Sequence, residues 1–510
     1  LFKMLEKEPG YRFVLDGQTS MIEDWLEQLQ WRGEDSAPHL ARLSQYASQG
    51  RICVGPYYLQ PDWQLVSEES LVRNLLIGQH MAKGLGGSMP VGWLLDNFGQ
   101  ISQTAQVHRQ FGLDGLFVWR GVEMDPREIK SEFLWQSPDG SQVTAVYLVG
   151  SYRNGMRLAE YADSMAGRIR GEIQKLAPFA TTPNILLMNG YDQEMLPDDI
   201  LPMLRSLGEV EGARVVQSTP YEYLQAIIKA APREPLPVLR GALYSGRYIS
   251  VFPGILSSRM YLKLLNDACQ KLLEKTAEPL CAALWALGGD YPAAEFDRAW
   301  RLLLKNHPHD SICAVSIDDV HTDMEARFEQ SAQVARQLAG SALASLQAAI
   351  DTTCQPQALH RWVVFNTALR PRGGLVEVAS TMPEGTRFVD SLGAALPAQK
   401  TTGGAVIALP QVPALGYQAV FALRDSPQQK QPVQVGNATL QVDKAQKTIE
   451  NDFIRLVVNA DGSLNLTDKA NRVNYPNVLV FEDGGDAGDT YNTSNPRNDL
   501  ILTTRGLKDE

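Results

Sequence analysis

The stretch VGWLLDNFGQISQTAQVHRQFGLDGLFVWR, residues 91–120, contains two short apolar runs separated by an amphipathic segment. The runs Val91–Leu95 and Leu116–Trp119 predict β-strands, and the segment between them predicts a helix that continues through about Gln110. A strand, a helix and a second strand in this order are typical of a parallel sheet. The stretch therefore predicts a mostly parallel α/β domain.

Polar residues follow the predicted strands at the point where each strand ends. Two further apolar runs, Tyr11–Leu15 and Asn184–Met188, also predict strands, and a helix from about Ser20 to Gln30 follows the first of them. In such sheets, ligands bind at the carboxyl ends of the strands. The first run ends at Asp16, and the residues that we expect at the functional edge are Asp96, Arg120 and Asp192.

The rest of the chain predicts two further domains. Apolar residues recur at three- or four-residue spacing through much of residues 241–355, which is typical of a helical bundle. Strand-like runs without helix signals follow, which favours a β-sandwich over residues 356–510 that is incomplete at its end. The strand-like runs are Trp362–Asn366, Leu375–Val378, Ala405–Ala408 and Phe453–Val458. Residues 1–240 remain as the α/β domain.

Composition excludes several classes of protein. The chain has 510 residues, which is too long for one ordinary core, and a net charge of −11, which argues against a nucleic-acid or anionic-membrane surface. No run approaches the roughly 18 apolar residues that a membrane helix needs. Five scattered cysteines form no close pair, as expected for reduced thiols in a cytoplasmic protein.

Asp96 and Asp192 are two acids at strand ends, an arrangement that acid/base or nucleophilic catalysis requires. A retaining glycosidase places two carboxyl groups about 5–5.5 Å apart, one as nucleophile and one as proton donor. Acids at strand ends are also frequent as helix N-caps in α/β proteins. The pair alone leaves both interpretations open.

The stretch NHPHDSICAVSIDDVH, residues 306–321, is the second candidate for site chemistry. Pro308 predicts the end of an apolar helix, so that His309 and Asp310 lie in a corner between two helices. His309 is a candidate metal ligand together with Asp96, because zinc sites commonly combine His with Asp or Glu. A structural hydrogen bond made by a His-Asp pair is the competing interpretation.

A loop rich in aromatic residues is a candidate sugar contact. Residues 55–63 combine two tyrosines and a tryptophan with the carboxylate of Asp62. Aromatic faces cover the C–H groups of sugars, and a carboxylate accepts hydrogen bonds from hydroxyls. A packed tight turn explains the same residues equally well.

Several of these motifs together resemble glycoside hydrolase family 38, the retaining α-mannosidases. Residues 94–121 are similar to the family's nucleophile motif, residues 184–193 to its acid/base strand, and residues 306–321 to its second metal motif. Residues 412–417 and 450–469 resemble the start of its C-terminal β region. The matches keep their order along nearly the whole chain, and the bacterial branch, which includes mannosylglycerate hydrolases, is the most similar.

The resemblance implies a fold and a set of residue roles. It implies a mostly parallel, seven-stranded barrel-like catalytic domain, a helical middle domain and a C-terminal β domain. Asp96 stands at the position of the nucleophile and metal ligand, Asp192 at the acid/base, and His309 at a histidine that binds one zinc ion per active site. His307 and Asp310 are expected to position His309. The implied substrate-binding residues are Arg120, Asp62, Tyr191 and Asp310.

The chain departs from the family pattern at several positions. Leu95 replaces a proline and Gln100 replaces a histidine of the nucleophile motif. The family begins with a strand that carries H-x-D, two further metal ligands, and no such motif opens this chain. We therefore expect a truncated chain whose metal is weakly held, and an inactive fragment is the alternative expectation.

Three functional interpretations follow from the residues and the resemblance. The first is a retaining α-mannosidase whose partner is a mannoside, of the glycan or the mannosylglycerate type. The second is a related zinc hydrolase such as a polysaccharide deacetylase, which leaves the bundle and the β domain unexplained. The third is a non-catalytic carbohydrate-binding relative. The linkage, the leaving group and any homo-oligomer are left open by the sequence.

Overall fold

The computed structural model describes residues 1–158, 162–193, 200–232, 234–424 and 440–505. The chain forms two compact units. The first contains Leu1–Gln270 and Ala294–Gln333, and the second contains Lys271–Ala293 and Val334–Glu510. Within the described ranges, no helix has the length and apolar character needed to cross a membrane.

The first unit is built around a mixed, mostly parallel sheet. Its strands are β1 (Phe13–Val14), β2 (Ile52–Cys53), β3 (Val91–Leu94), β4 (Gly115–Val118), β5 (Glu132–Gln136), β6 (Gln142–Tyr147), β7 (Glu209–Val210), β8 (Ala213–Arg214) and β9 (Val238–Arg240). The main sheet has the order β3-β4-β6-β5-β9, in which only the β5–β6 pair is antiparallel. Strands β1 and β2 form a separate parallel pair.

Helices follow the strands of the first unit along the chain and continue through residues 260–348. They are α1 (Phe2–Lys7), α2 (Ser20–Trp31), α3 (Ser36–Ser48), α4 (Glu68–Gly84), α5 (Thr104–Gln110), α6 (Ala162–Leu176), α7 (Ile200–Leu207), α8 (Pro220–Ala230), α9 (Met260–Leu272), α10 (Glu278–Ala286), α11 (Ala293–Leu304), α12 (His309–Ile312) and α13 (Asp318–Ala348), with a 3₁₀ turn at Pro253–Leu256 and a π-helical turn at Leu273–Ala277. Local chemistry explains where α8 begins. Thr219 and Glu222 form a capping box, and Pro220 occupies the first helical turn, where no amide hydrogen is needed.

The core of the first unit lies on both faces of β3 and β4. Every residue of these two strands is buried, so neither strand alternates between apolar and polar residues. Gly92 is required in β3 because a Cβ atom there would lie 2.5 Å from the His108 ring. The close approach lets α5 pack directly on the strand that leads to Asp96.

The structure confirms most of the predicted strands of the first unit and corrects one of them. The strands predicted at Val91–Leu95 and Leu116–Trp119 are β3 and β4, and α2 begins at Ser20 as predicted. Residues 184–188, all of them described, form no strand. Their backbone bonds instead to a loop, since the Met188 amide donates to the Asn154 side chain at 2.7 Å. A local apolar run cannot reveal that its backbone partner is a loop side chain.

The expected seven-stranded barrel does not appear as one closed sheet in the described ranges. Strands β3 and β9 are the edges of the main sheet, and β1 and β2 pair only with each other there. The α/β character and the mostly parallel pairing agree with the prediction. Barrel closure stays a prediction.

The second unit contains antiparallel sheets in the region where strand-like runs predicted a β domain. Its strands are β10 (His360–Asn366), β11 (Arg372–Ala379), β12 (Thr386–Val389), β13 (Ala395–Leu396), β14 (Ala398–Thr401), β15 (Gly404–Val412), β16 (Gly416–Arg424), β17 (Gln441–Asp443), β18 (Thr448–Glu450), β19 (Ile454–Val458), β20 (Leu464–Asp468), β21 (Val473–Val478), β22 (Glu482–Asp483) and β23 (Leu502–Thr503). The sheets β10-β16-β12-β13 and β11-β15-β14 share one apolar core. Strands β17 to β21 form a five-stranded meander.

Candidate active site

Asp96 and Arg120 lie side by side because β3 and β4 are neighbouring parallel strands in register. Leu94 pairs with Val118, and the chain reaches Asp96 and Arg120 two residues later on each strand. The Arg120 Nε and Nη2 atoms donate to Asp96 Oδ1 at 2.7 and 2.5 Å, and its Nη1 atom donates to the Ser250 carbonyl at 2.8 Å. The structure thus confirms that both residues share the edge of the sheet. Both bonds use one carboxylate oxygen, which leaves Oδ2 for other contacts.

Aromatic rings surround the Arg120 guanidinium. Its central carbon lies 4.4 Å from the ring centroid of Trp119, 5.0 Å from that of Phe252 and 5.4 Å from that of Phe98. Cation–π attraction and exclusion of water both strengthen the bond to Asp96, because a charged hydrogen bond gains energy where the dielectric constant is low. The orientation of Asp96 is therefore set by a residue that is itself held on several sides.

His309 begins the short helix α12 directly after Pro308. Its backbone amide and its Nδ1 atom lie 3.1 and 3.2 Å from the Gln60 carbonyl oxygen. A carbonyl can only accept, so the proton must be on Nδ1, and the opposite nitrogen faces the carboxylates. The Nε2 atom lies 3.9 Å from Asp96 Oδ2 and 3.8 Å from Asp310 Oδ2.

The two residues that were expected to position His309 have different surroundings. The Asp310 side chain is half-exposed, and its Oδ2 atom lies 3.8 Å from His309 Nε2. His307 is fully buried, and its Nε2 atom lies 2.7 Å from the Asn266 side-chain oxygen. Burial lowers the pKa of His307 to about 3. The His307 side chain is therefore a neutral core group joined to α9.

The arrangement around His309 fits part of a metal site. With its proton on Nδ1, His309 presents the Nε2 lone pair to one oxygen of Asp96 and one of Asp310. The lone pair and the two carboxylates repel one another unless a cation or a proton lies between them. Asp96 and His309 therefore fit two ligand positions of a divalent ion. Across the described ranges, no group of three or more His, Cys, Asp or Glu side chains is placed to hold a metal.

Asp192 follows the extended residues 184–188 and is exposed. The Tyr152 hydroxyl donates to its two carboxylate oxygens at 3.3 and 3.2 Å. Burial raises the pKa of Tyr152 strongly, and the negative charges of Asp96 and Asp192 raise it further. Both acids that were predicted from strand ends thus act on one buried hydroxyl. Tyr152 packs edge-on against Trp119 at 4.9 Å, which places it beside the arginine of the other acid.

The remaining predicted substrate-binding residues lie at different depths. Tyr191 is exposed, and the Arg153 guanidinium lies 5.0 Å from its ring centroid. Asp62 is fully buried, and its Oδ1 atom accepts from the amides of Gln64 and Leu65 at 2.8 and 3.0 Å. Burial raises the pKa of Asp62.

Sequence reasoning missed two residues at this edge. Nothing in the local sequence around Tyr152 indicates that its hydroxyl meets Asp192. Asp16 was noted only as the end of a predicted strand. In the structure its carboxylate accepts from the Trp93 indole at 3.0 Å, and the charges of His309 and Asp192 both act on it. Asp16 directly follows a predicted strand, as Asp96 does, so the rule that ligands bind at the carboxyl ends of strands applies to it as well.

Two models of known protein families match this chain. Residues 1–242 match the model of the glycosyl hydrolases family 38 N-terminal domain, and residues 250–346 match that of the alpha mannosidase middle domain. The two matches follow each other along the chain.

Relatives are similar over almost the whole chain. The "Putative mannosylglycerate hydrolase" of Halalkalibacterium halodurans is 27% identical over 96% of this chain and 60% of its own length. Human alpha-mannosidase 2C1 is 26% identical over 91% of this chain and 40% of its own length. The chain thus spans less than two thirds of the length of these relatives.

A solved structure confirms the similarity of the fold. The crystal structure of an alpha-mannosidase from Enterococcus faecalis V583 superposes with a TM-score of 0.86 and 27% identity, over 100% of this chain and 61% of that one. The two family models, the relatives and this superposition all indicate the same family. The chain belongs to glycoside hydrolase family 38.

Proposed function

We propose that the protein is a retaining, metal-dependent, exo-acting α-mannosidase that hydrolyses terminal α-mannosides of the glycan or mannosylglycerate type. The observation that supports this proposal most is that the Tyr152 hydroxyl donates to Asp192, while the negative charge of Asp96 also raises the pKa of Tyr152. Two carboxyl groups with different surroundings on one edge are what double displacement at a sugar carbon requires.

In the first step, an Asp96 oxygen attacks C1 of the mannose. The bond from C1 to the leaving-group oxygen breaks, and Asp192 gives a proton to that oxygen. Arg120 holds Asp96 in the orientation for attack through its two hydrogen bonds. The result is a covalent mannosyl-aspartate and a free alcohol.

In the second step, Asp192 takes a proton from a water molecule. The water oxygen attacks C1, the bond to Asp96 breaks, and mannose leaves with its original stereochemistry. Asp192 is exposed and accepts only from Tyr152 among the described residues, which suits a group that must meet both an alcohol and water. Tyr152 orients its carboxylate.

A zinc ion would be held by Asp96 and His309. When bound, it would supply positive charge that orients the 2- and 3-hydroxyls of mannose. The Gln60 carbonyl keeps the proton on His309 Nδ1, so that Nε2 is available to the ion.

The substrate-binding residues complete the proposal. Tyr191 and Asp310 are exposed enough to contact a sugar, and Arg120 contacts it beside Asp96. Asp62 lies beside the segment that carries His309, because its backbone amide donates to the His307 carbonyl at 3.2 Å. The proposal keeps Asp62 as a substrate-binding residue, whose buried carboxylate also interacts with the Cys313 thiol.

We also propose the organisation and location of the protein. Residues 1–240 form the catalytic domain, residues 241–355 the middle domain and residues 356–510 the β-sandwich domain. The sparse, unpaired cysteines favour the cytoplasm. A homo-oligomer is compatible with the exposed apolar side chains of the second unit.

The test is hydrolysis of 4-nitrophenyl α-mannoside by the protein expressed from its complete reading frame. We expect release of 4-nitrophenol that a chelator abolishes and zinc restores. Nuclear magnetic resonance should detect α-mannose as the first product. The control variant is Asp139→Asn, since Asp139 only caps a hairpin turn through Ser141.

Three outcomes would contradict parts of the proposal. Absence of release from any α-mannoside would exclude the mannosidase. Release that a chelator leaves unchanged would exclude the metal. β-Mannose as the first product would exclude retention.

A further inference from the structure

Asp16 is an acidic residue at the active edge that the proposed reaction does not use. It follows β1, whose parallel pairing with the second strand continues to Leu15, because the Leu15 amide donates to the Cys53 carbonyl at 2.9 Å. Its φ angle is +42°, in the left-handed region that non-glycine residues rarely adopt. Left-handed residues of this kind concentrate at functional sites, where the surrounding structure holds them.

The Asp16 carboxylate is held by two uncharged donors. The Trp93 indole donates to Oδ1 at 3.0 Å, and the Gln18 amide donates to Oδ2 at 2.9 Å. Trp93 belongs to β3, the strand that leads to Asp96. Each carboxylate oxygen accepts more than one hydrogen bond, so both oxygens retain capacity for a further donor.

The backbone of Asp16 is joined to His309 through a single residue. The Gln60 side chain donates to the Asp16 carbonyl at 2.8 Å. The Gln60 backbone amide donates to the Gln18 side-chain oxygen at 3.1 Å. The Gln60 carbonyl accepts from His309. Asp16 and His309 therefore flank Gln60, and the charges of His309 and Asp192 both act on the Asp16 carboxylate.

The charge of Asp16 is poorly compensated by the protein. The Asp16 side chain is exposed to solvent. Desolvation by the surrounding residues nevertheless raises its pKa, the charge of Asp192 raises it further, and the two neutral donors and His309 lower it. No lysine or arginine forms an ion pair with it among the residues that the structure describes. A carboxylate in such surroundings gains from hydroxyl donors that a ligand supplies.

We propose that Asp16 is a further substrate-binding residue, whose carboxylate accepts hydrogen bonds from hydroxyl groups of the sugar held between Asp96 and Asp192. The inference rests on the proposed mannosidase function and adds a specificity determinant to it. Paired hydroxyls of a pyranose are the donors that a fixed carboxylate recognises, and a sugar without the contacted hydroxyl loses that interaction.

A positioning role is the alternative. In that role, Asp16 would act only by holding Trp93 and, through Gln60, His309. Its removal would then slow every substrate by the same factor, because the defect would lie in the protein. A contact with a hydroxyl instead predicts a defect that depends on one hydroxyl of the sugar.

The experiment compares Asp16→Ala and Asp16→Asn with the unmodified protein on 4-nitrophenyl α-mannoside and its four monodeoxy analogues. We expect Asp16→Ala to lower kcat/KM on the parent sugar about 10- to 100-fold, the worth of a hydrogen bond to a charged group. On one or two deoxy analogues the same variant should change kcat/KM less than about 3-fold, because the contacted hydroxyl is already missing. Asp139→Asn is the matched control and should leave all five substrates unchanged.

Two further measurements distinguish an error in the Asp16 inference from a variant that does not fold and from a protein that hydrolyses no mannoside. Asp16→Asn preserves the shape of the side chain, so it tests the contact if Asp16→Ala does not fold. Calorimetric binding of mannose tests Asp16 without turnover: weaker binding by the folded variants supports the contact even if no mannoside is hydrolysed. An equal loss on all five substrates, or unchanged mannose affinity, would overturn the inference.

Discussion

The two halves of the active edge hold their carboxylates in opposite ways. Asp96 follows a buried strand, accepts two hydrogen bonds from Arg120 on one oxygen and faces His309 with the other. Asp192 follows an extended segment outside the sheet, is exposed, and accepts only the long bonds from Tyr152 among the described residues. A nucleophile benefits from a fixed direction of attack, whereas an acid/base needs access to both an alcohol and water. The difference agrees with the proposed division of roles.

The largest expected effect is that of Asp96→Asn. The amide is a poor nucleophile, so kcat/KM should fall about 10⁴-fold or more on every α-mannoside, whatever its leaving group. Steady-state kinetics with 4-nitrophenyl and methyl mannosides measure this. Substantial residual turnover on either substrate would remove Asp96 from the role of nucleophile.

Asp192→Asn should depend on the leaving group. With an alkyl mannoside, loss of the general acid should lower kcat/KM about 10²- to 10³-fold. With a 2,4-dinitrophenyl mannoside the first step needs no proton, so a rapid burst of dinitrophenol should precede slow turnover. Equal losses on both substrates would contradict the assignment and the contrast between the two halves.

Arg120→Lys tests the fixed half directly. Lysine cannot reproduce the two bonds that converge on Asp96 Oδ1 together with the bond to the Ser250 carbonyl, so kcat should fall about 10- to 100-fold. Arg247→Lys is the control, because Arg247 forms a half-exposed ion pair with Glu123 and a cation–π contact with Tyr248, and it makes no ion pair with Asp96 among the described residues. Similar kinetics for the two variants would mean that Arg120 does not orient Asp96.

Tyr152→Phe should have a smaller effect, because it removes only the hydroxyl that donates to the exposed Asp192 carboxylate. Loss of one hydroxyl donor should lower kcat/KM on alkyl mannosides about 2- to 10-fold, the usual net worth of a hydrogen bond. Activated mannosides should be less affected in the first step, since Asp192 is not needed there. A larger loss on activated substrates would connect Tyr152 with Asp96 instead.

The smallest expected effect is a loss of thermal stability at low pH caused by His108, whose buried ring lies against β3. Burial lowers the pKa of His108 to about 4, from 6.5 for an unburied histidine. The unfolded chain therefore binds this proton more readily, and the contribution of neutral His108 to stability, present above pH 6.5, is lost as the pH falls toward 4. Tm should decrease over that range, and less steeply in His108→Gln, whereas His80→Gln at an exposed position should behave like the unmodified protein.

Local pattern was sufficient for the strands and for Asp96 and Arg120. Hydrophobic runs and the residues that follow them are local features, and neighbouring parallel strands bring their ends together automatically. The same reasoning failed at Asn184–Met188, whose apolar run is not part of the sheet. Its backbone partner, the Asn154 side chain, is more than thirty residues away. Asp16 was within reach of the strand-end rule, but a single acid after a short strand gives no sign of its neighbours.

By itself, the sequence determined the alternation of strands and helices, the later β region, the position of Asp96 after its strand and, through its motifs, the family. These features depend on residues close together in the chain or on ordered motifs along it. Only the tertiary structure decided that Arg120 binds one oxygen of Asp96, that the Gln60 carbonyl selects the His309 tautomer, that Tyr152 donates to Asp192, and that the charges of His309 and Asp192 act on Asp16. Such contacts depend on how distant segments pack, and packing sets the distances and directions that hydrogen bonds require.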